Sequence, residues 1–206
     1  MSEILHLRAA DARQVPWKNG RGFTSELALW PRTGSFERDE FEWRLSKASI
    51  DEPGPFSSFP GIERLLVVTD GAGLVLEHAG AAPRKELARL QPYRFQGEWI
   101  TSADLVAGPV SDFNVLCRTG RARAEVECWD GELRTRAKPN TGEHLFLHVL
   151  SGDLEARTSD RARPWRLASG ESLWLAPPDE RELALAGSCR ALLVRISPTG
   201  ALSFPS

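Results

Sequence analysis

Apolar residues in this chain fall at alternate positions through a series of short runs, and Gly, Pro, Asp and Ser gather between those runs. A period of two places alternate side chains on opposite faces of an extended backbone, so each run reads as a strand with one buried face. Ile4 to Leu7, Phe23 to Trp30, Phe41 to Ile50, Ile62 to Thr69, Pro92 to Phe95, Ser102 to Ala107 and Asp112 to Arg118 follow the pattern. Strands spaced roughly 8 to 12 residues apart mark sandwiches and barrels. No long segment carries the helical period, and the chain is predicted to be all-β. Asp70, Gly71 and Gly73 suggest a turn, which makes Leu74 to Glu77 the expected hairpin partner of Ile62 to Thr69. Pro83 to Leu90 reads as a connection with room for one helical turn.

Alternation sets Arg64 on the same face as Ile62, Leu66 and Val68. A guanidinium in apolar surroundings keeps its proton, so it needs a carboxylate, carbonyl oxygens or water. The structural alternative is an Arg near a strand end that reaches solvent or pairs with an internal Glu. In the preceding strand Phe41, Trp43 and Leu45 share one face, and Glu42, Arg44 and Ser46 share the other.

The second half of the chain repeats the first. LLVVTDGAGLVLE (65–77) is echoed by FLHVLSGDLEAR (146–157), and LVAGPVSDFNVLCR (105–118) by LALAGSCRALLVRI (183–196). Gly71 and Gly152 lie 81 positions apart, and Gly108 and Gly187 lie 79 apart. Two anchors with nearly one offset point to tandem units, expected at 1–120 and 121–206, with exchange of strands between them left open. Moving Arg64 forward by 81 reaches Leu145, and moving Asn114 forward by 79 reaches Leu193. The first unit is therefore expected to keep a polar cavity that the second has filled, since small closed β-sheets can hold one ligand inside.

Composition narrows the class. The chain has 206 residues, 41% hydrophobic and 26% charged, which suits a folded protein with a substantial core. Its formal net charge is −2, with no basic surplus, so no nucleic-acid partner is expected. It lacks a run of 18 apolar residues, and MSEILHLRAADARQ lacks the basic-then-apolar order of a secretion signal, so the expectation is a cytoplasmic protein without a membrane partner. Cys117, Cys128 and Cys189 are far apart and odd in number, as expected of free buried thiols.

Four segments, VPWKNGRGFTSEL, WRLSKASIDEPGPFSSFPGIER, PYRFQGEWIT and SDFNVLCR, resemble in order and spacing the HutD/Ves family of bacterial bicupins. The specific motifs lie in the first two thirds, and beyond Gly142 the chain resembles a generic cupin half. The resemblance implies two tandem β-barrels and an association with histidine utilisation or its control, with no catalytic activity attached. Arg21 stands where the family motif usually has a third glycine, and Ser25 where it often has Arg, which bears on ligand identity.

Candidate chemistry follows from the side chains. A cupin metal site needs a His-x-His pair with a carboxylate and a further His. Here His144 and His148 are the only close pair, about 13 Å apart on a strand at ~3.3 Å per residue, so no metal and no other cofactor is expected. There is no G-x-S-x-G elbow, and Ser57 and Ser58 have no histidine near in sequence. An anion-binding set is better supported. Lys18, Arg44 and Arg64 supply cations, Asn19, Ser46 and Asn114 supply directional hydrogen bonds, and Trp17, Phe56, Phe59 and Phe95 supply apolar walls. The alternative for Arg44 is a surface pair with Glu26 or Glu42. The set reads as a metal-independent site for a small carboxylate, such as N-formylglutamate or urocanate, in a sensor or governor of histidine utilisation. Two rivals stay open, a metal-free enzyme with Lys18 or Glu26 as acid or base, and a structural bicupin with filled barrels. A homodimer is likewise left open.

Overall fold

A computed structural model describes residues 3–16 and 23–199. The chain divides into two compact units, the first Ala12–Arg123 and the second Met1–Asp11 together with Ala124–Ser206. In order the strands are β1 (Glu3–Leu7), β2 (Arg13–Pro16), β3 (Phe23–Trp30), β4 (Trp43–Ile50), β5 (Gly54–Pro55), β6 (Ile62–Asp70), β7 (Leu74–His78) and β8 (Ala82–Leu87). They continue as β9 (Tyr93–Gln96), β10 (Thr101–Leu105), β11 (Val110–Arg118), β12 (Ala122–Ala137), β13 (His144–Arg157), β14 (Trp165–Leu167), β15 (Ser172–Ala176) and β16 (Leu183–Pro198). Among the described residues the only helical element is a 3-10 turn at Ala9–Asp11, and no helix is long and apolar enough to cross a membrane. The all-β expectation holds.

The first unit is built from a six-stranded sheet, β2-β3-β4-β11-β6-β9, and a four-stranded sheet, β5-β10-β7-β8. Leu66 and Val68 of β6, Leu74 and Leu76 of β7, Leu87 of β8 and Ala103 of β10 meet in one apolar cluster drawn from both sheets. A second cluster of Leu29, Phe41, Ile62 and Leu116 lies toward the other end of the six-stranded sheet. Full burial of such a side chain stabilises by roughly 1.5 to 3 kcal/mol, so these two clusters, and not the polar residues between them, hold the unit together.

Two local expectations are overturned. β7 is not the hairpin partner of β6, because β6 pairs with β11 and β9 while β7 pairs with β10 and β8 in the other sheet. The residues at 71–73 turn a corner between layers, and Gly71 is needed there. Its φ is 91°, and a Cβ would come within 2.6 Å of the Pro109 carbonyl oxygen. The segment after Pro83 forms no helical turn but lies in β8, where Leu87 pairs with Leu74. β8 is an edge strand, so the missing N–H of Pro83 is tolerated.

The second unit forms one sheet, ordered β1-β15-β13-β16-β12, with β14 added to β13. β13 and β16 pair from His144↔Ile196 to Arg157↔Ala184, doing in two long strands what β6, β7, β10 and β11 do in four. The difference has a cause in sequence. Pro109 has no N–H to offer between β10 and β11, whereas Ser188, 79 positions later, pairs with Asp153 and carries the ladder through.

The repeat extends to hydrogen-bond register. Arg64 pairs with Leu116, and Leu145 pairs with Arg195; shifts of 81 and 79 carry the first pair onto the second. Each unit also has an irregularity at the same place, with Thr69 passed over between Val68 and Asp70, and Leu150 between Val149 and Ser151. Gly152 repeats the role of Gly71, with a φ of 81° and a Cβ position 2.3 Å from the Ser188 oxygen.

Gly152→Ala is expected to destabilise the protein by about 2 to 4 kcal/mol, because strained φ and a backbone clash act together. Gly80→Ala, with a φ of 77° but open space around its Cβ position, should cost only about 1 kcal/mol. Chemical denaturation of the two variants measures the contrast, and equal losses would remove the close approach as a constraint.

Candidate functional site

Directly opposed residues on neighbouring antiparallel strands project to the same face. Glu26, Ser46, Asn114 and Leu66 form one such row across β3, β4, β11 and β6. Leu29, Arg44, Leu116, Arg64 and Phe95 form the next, and Thr24, Ala48, Asp112 and Val68 the row on the other side. Because Leu66, Val68 and Phe95 belong to the core, this face looks inward. Arg44, Ser46, Arg64, Asp112 and Asn114 are all buried there, between the two apolar clusters.

Arg64 is the centre of the group. Its Nη2 donates to Asn114 Oδ1 at 2.7 Å, and its Nη1 reaches the Ser57 carbonyl oxygen at 3.4 Å. The rings of Phe56, Phe59 and Phe95 surround the guanidinium, with centroids 4.9, 5.5 and 5.0 Å from its carbon. Ring faces favour a cation, so the cage offsets part of the burial cost. Nε is buried with no hydrogen-bond partner among the described residues. The Asn114 amide also hydrogen-bonds Asp112, so it accepts from the cation and donates to the carboxylate. Asp112 Oδ1 is the second buried atom of this cluster with no partner among the described residues.

Burial pushes the Asp112 carboxyl up to about 6, against the Asn114 hydrogen bond, the Arg64 charge and the Ala48 backbone N–H. Burial lowers Arg64 to about 10, opposed by the charge of Asp112, and leaves it cationic at neutral pH. On the facing side, His78 is held by Thr101 Oγ1 at 2.9 Å and by the Tyr93 hydroxyl at 3.1 Å. Burial and then the Arg64 charge lower its pKa, so the ring is neutral near pH 7.

Of the residues expected to bind a ligand, Ser46, Arg64, Asn114, Phe56, Phe59 and Phe95 come together. Trp17, Lys18 and Asn19 lie outside the described residues. Arg44 faces inward, but its Nε donates to Glu26 Oε2 at 2.6 Å and its guanidinium lies 4.0 Å from the Phe36 ring centroid. Its pair with Glu26 is no surface network, since the two side chains are 5% and 11% exposed. The expected open cavity is instead a closely covered cluster, with Arg44, Ser46, Arg64, Asp112 and Asn114 each at most 8% exposed. Asp112 was absent from the expected set, although its spacing of two from Asn114 on a strand marks the same face. His78 and Tyr93 were also absent, and nothing local in sequence ties them to Arg64.

The second unit has apolar residues at the matching places. Leu145, Ala191 and Leu193 stand where Arg64, Asp112 and Asn114 stand in the first, and all three lie in its core. His144 and His148 are buried on β13, where His144 Nδ1 accepts from Trp174 Nε1 and His148 Nδ1 meets Ser172 Oγ. Among the described residues no group of three or more His, Cys, Asp or Glu is placed to hold a metal ion. Cys117 and Cys189 are free and buried; Cys128 is free but only half-buried, on edge strand β12, which corrects the expectation for that thiol.

The HutD family profile matches residues 9–193. An uncharacterized 21.2 kDa protein in the hutC 3' region of Pseudomonas putida is 36% identical over 161 residues, 78% of this chain and 81% of that one. Protein Ves of Cronobacter sakazakii is 37% identical over 147 residues, 69% of this chain and 75% of that one. HutD from Pseudomonas fluorescens, in a formate condition, superposes with a TM-score of 0.77 at 30% identity, over 95% of this chain and 99% of that one. A conserved protein of unknown function from Pseudomonas aeruginosa gives 0.81 at 29% identity, over 95% and 100%. A bacterial pirin from Escherichia coli in complex with nickel(II), and tomato vicilin, share the fold at 9% and 8% identity, each with a TM-score of 0.65. They cover 95% and 94% of this chain. The fold is that of a bicupin.

Two outcomes follow from the buried charges. The triple substitution Arg64→Leu, Asp112→Ala, Asn114→Leu, which copies the second core, should leave stability within about 1 to 2 kcal/mol of the parent or raise it. Arg64→Leu alone should lose about 3 kcal/mol at pH 7.5, because Asp112 is left buried without its cation. Denaturation curves of both decide whether the cluster serves the fold. The pH dependence has a definite sign: with its folded value raised above the ordinary one, Asp112 binds its proton more readily in the native state. Its contribution therefore falls as pH rises from about 4 to 6, by at most ~1.4 kcal/mol per pH unit. Asp112→Asn should remove that slope in melting curves taken against pH.

Proposed function

The chain belongs to the HutD family, and from that premise we propose that its first unit binds a small carboxylate at Arg64, the protein acting as a sensor or governor of histidine utilisation. One observation carries the proposal: an inward-facing guanidinium whose Nε has no partner among the described residues occurs in one half of a repeated fold, and its counterpart in the other half is Leu145.

A carboxylate has two oxygens in the geometry that Nε and one terminal nitrogen of an Arg can meet together. Hydrogen bonds to charged groups contribute roughly 1.5 to 3 kcal/mol each, and the terminal nitrogen on the same edge as Nε is Nη2, so the ligand shares Nη2 with Asn114 Oδ1 while Nη1 keeps its 3.4 Å contact to the Ser57 carbonyl oxygen. Asn114 and Ser46 offer polar groups beside that position, and the half-buried Phe56 and Phe59 offer apolar surface to the rest of the ligand. Arg44 contributes less than sequence alone suggests, because Glu26 already neutralises it. The same ion pair weighs against the enzyme alternative with Glu26 as base, since its carboxylate is committed to a cation. The pathway context comes from the names HutD and hutC region carried by relatives, and it directs attention to acids of histidine breakdown such as N-formylglutamate and urocanate.

A thermal-shift series with N-formylglutamate, urocanate, glutamate and formate tests this. A ligand at about 100 times its Kd stabilises the native state by ~2.7 kcal/mol, a rise of several degrees. At least one of these acids should produce it, without turnover on chromatography. Arg64→Ala and the triple variant should both lose the response, the triple serving as the folded control. An undiminished rise in either variant would place the site elsewhere, and conversion of the acid would favour the enzyme.

A further inference from the structure

We infer that Asp112 and the bound carboxylate compete for the Arg64 guanidinium, so that the ligand is taken up together with one proton, which lands on Asp112. The inference rests on the carboxylate reading of the site and adds how that site is regulated.

Few charged groups face Asp112 in this closed space. On β11, Asp112 has Asn114 as its polar neighbour and Asn114 binds Arg64. On β6 the facing charge is Arg64. On β4, opposite Asp112, the facing groups are the Ala48 backbone N–H and, one step along, Ser46; Arg44 follows and is neutralised by Glu26 of β3. Thr24 of β3 carries no charge. Across the core, His78 of β7 is bound by Thr101 and by Tyr93 of β9, the neighbour of β6; burial lowers His78 and raises Tyr93, so both are neutral near pH 7. Lys47 neighbours Ala48 in sequence and therefore projects from the other side of the sheet. Among the described residues one guanidinium is thus the positive charge available to Asp112, and it holds the carboxylate ionised against burial.

A ligand carboxylate on Arg64 changes the sum. Two anions would then share one cation in a space where Asp112 and Arg64 are 2% and 6% exposed. Like charges so placed do not both stay ionised. The ligand takes the Arg64 Nε, and a proton from solvent goes to Asp112. Asp112 Oδ1, otherwise without a partner among the described residues, becomes a hydroxyl that can donate to the second ligand oxygen. The orphan donor and the orphan acceptor are satisfied in one event. Nothing is oxidised or reduced, and no covalent bond forms besides the O–H.

The sign of the pH effect follows. Asp112 in the free protein titrates at about 6, so at pH 7.5 it is mostly ionised and must gain close to one proton on binding. At pH 5 it already holds the proton and uptake approaches zero. Affinity should therefore fall as pH rises above 6, by up to about tenfold per pH unit.

Isothermal titration of the full chain with N-formylglutamate, in phosphate and in Tris at pH 7.5, reads the proton count from the difference in heat. Near one proton is expected for the native chain and near zero for Asp112→Asn, which should bind up to about thirtyfold tighter than the native chain at pH 7.5 and show little pH dependence. An infrared difference spectrum of the native protein supplies a readout independent of that variant's folding: a protonated-carboxyl band should appear on ligand addition at pH 7.5. Binding without proton uptake, uptake unchanged in Asp112→Asn, or no such band overturns the linkage and leaves the carboxylate site standing. No binding at either pH 5 or pH 7.5 overturns both.

Discussion

Arg64 sits on the inward face of a strand, and its guanidinium keeps its charge at neutral pH although it is buried. That combination organises the interior of the first unit. Three aromatic rings are turned toward it, one amide is oriented by it, and one carboxylate depends on it to remain ionised. Even so, the arrangement is incomplete, since Nε and the Asp112 Oδ1 remain without partners among the described residues. A group buried at this cost with its hydrogen bonding unfinished suits binding better than it suits stability.

The second unit supplies an internal control for that argument. Both units share the same register shift, the same glycine pressed against the neighbouring strand, and the same pattern of inward positions. In one the inward positions are Arg64, Asp112 and Asn114, and in the other Leu145, Ala191 and Leu193. The backbone plan therefore does not require charge at these positions. Comparing two halves of one chain separates what the fold needs from what the site needs, which a single domain could not do.

Membership of the HutD family supplies the biological context, while the chemistry is argued from the side chains. In the proposed reading, Arg64, Asn114 and the phenylalanine cage receive a small acid with some apolar surface. The Arg44–Glu26 pair, although equally inward, is already closed on itself and leaves Arg64 as the inward cation with capacity to spare among the described residues.

Alternation of apolar residues was enough to establish an all-β chain and most strand positions, and the two glycine spacings were enough to establish a tandem repeat and even its register. Those features depend on local periodicity and on short-range backbone rules, which sequence carries directly. It also set Arg64 on the apolar face, because a strand has only two faces, but left open whether its head group reaches solvent. Which strands pair was not legible: Leu74 to Glu77 looked like a hairpin partner of Ile62 to Thr69, yet the chain changes layer at Gly71. Nor could sequence say that Glu26 would occupy Arg44, or that His78 and Tyr93 would face Arg64, and Asp112 acquired meaning only beside that cation. Pairing, charge compensation and burial arise between segments far apart along the chain, and only the tertiary structure decides them.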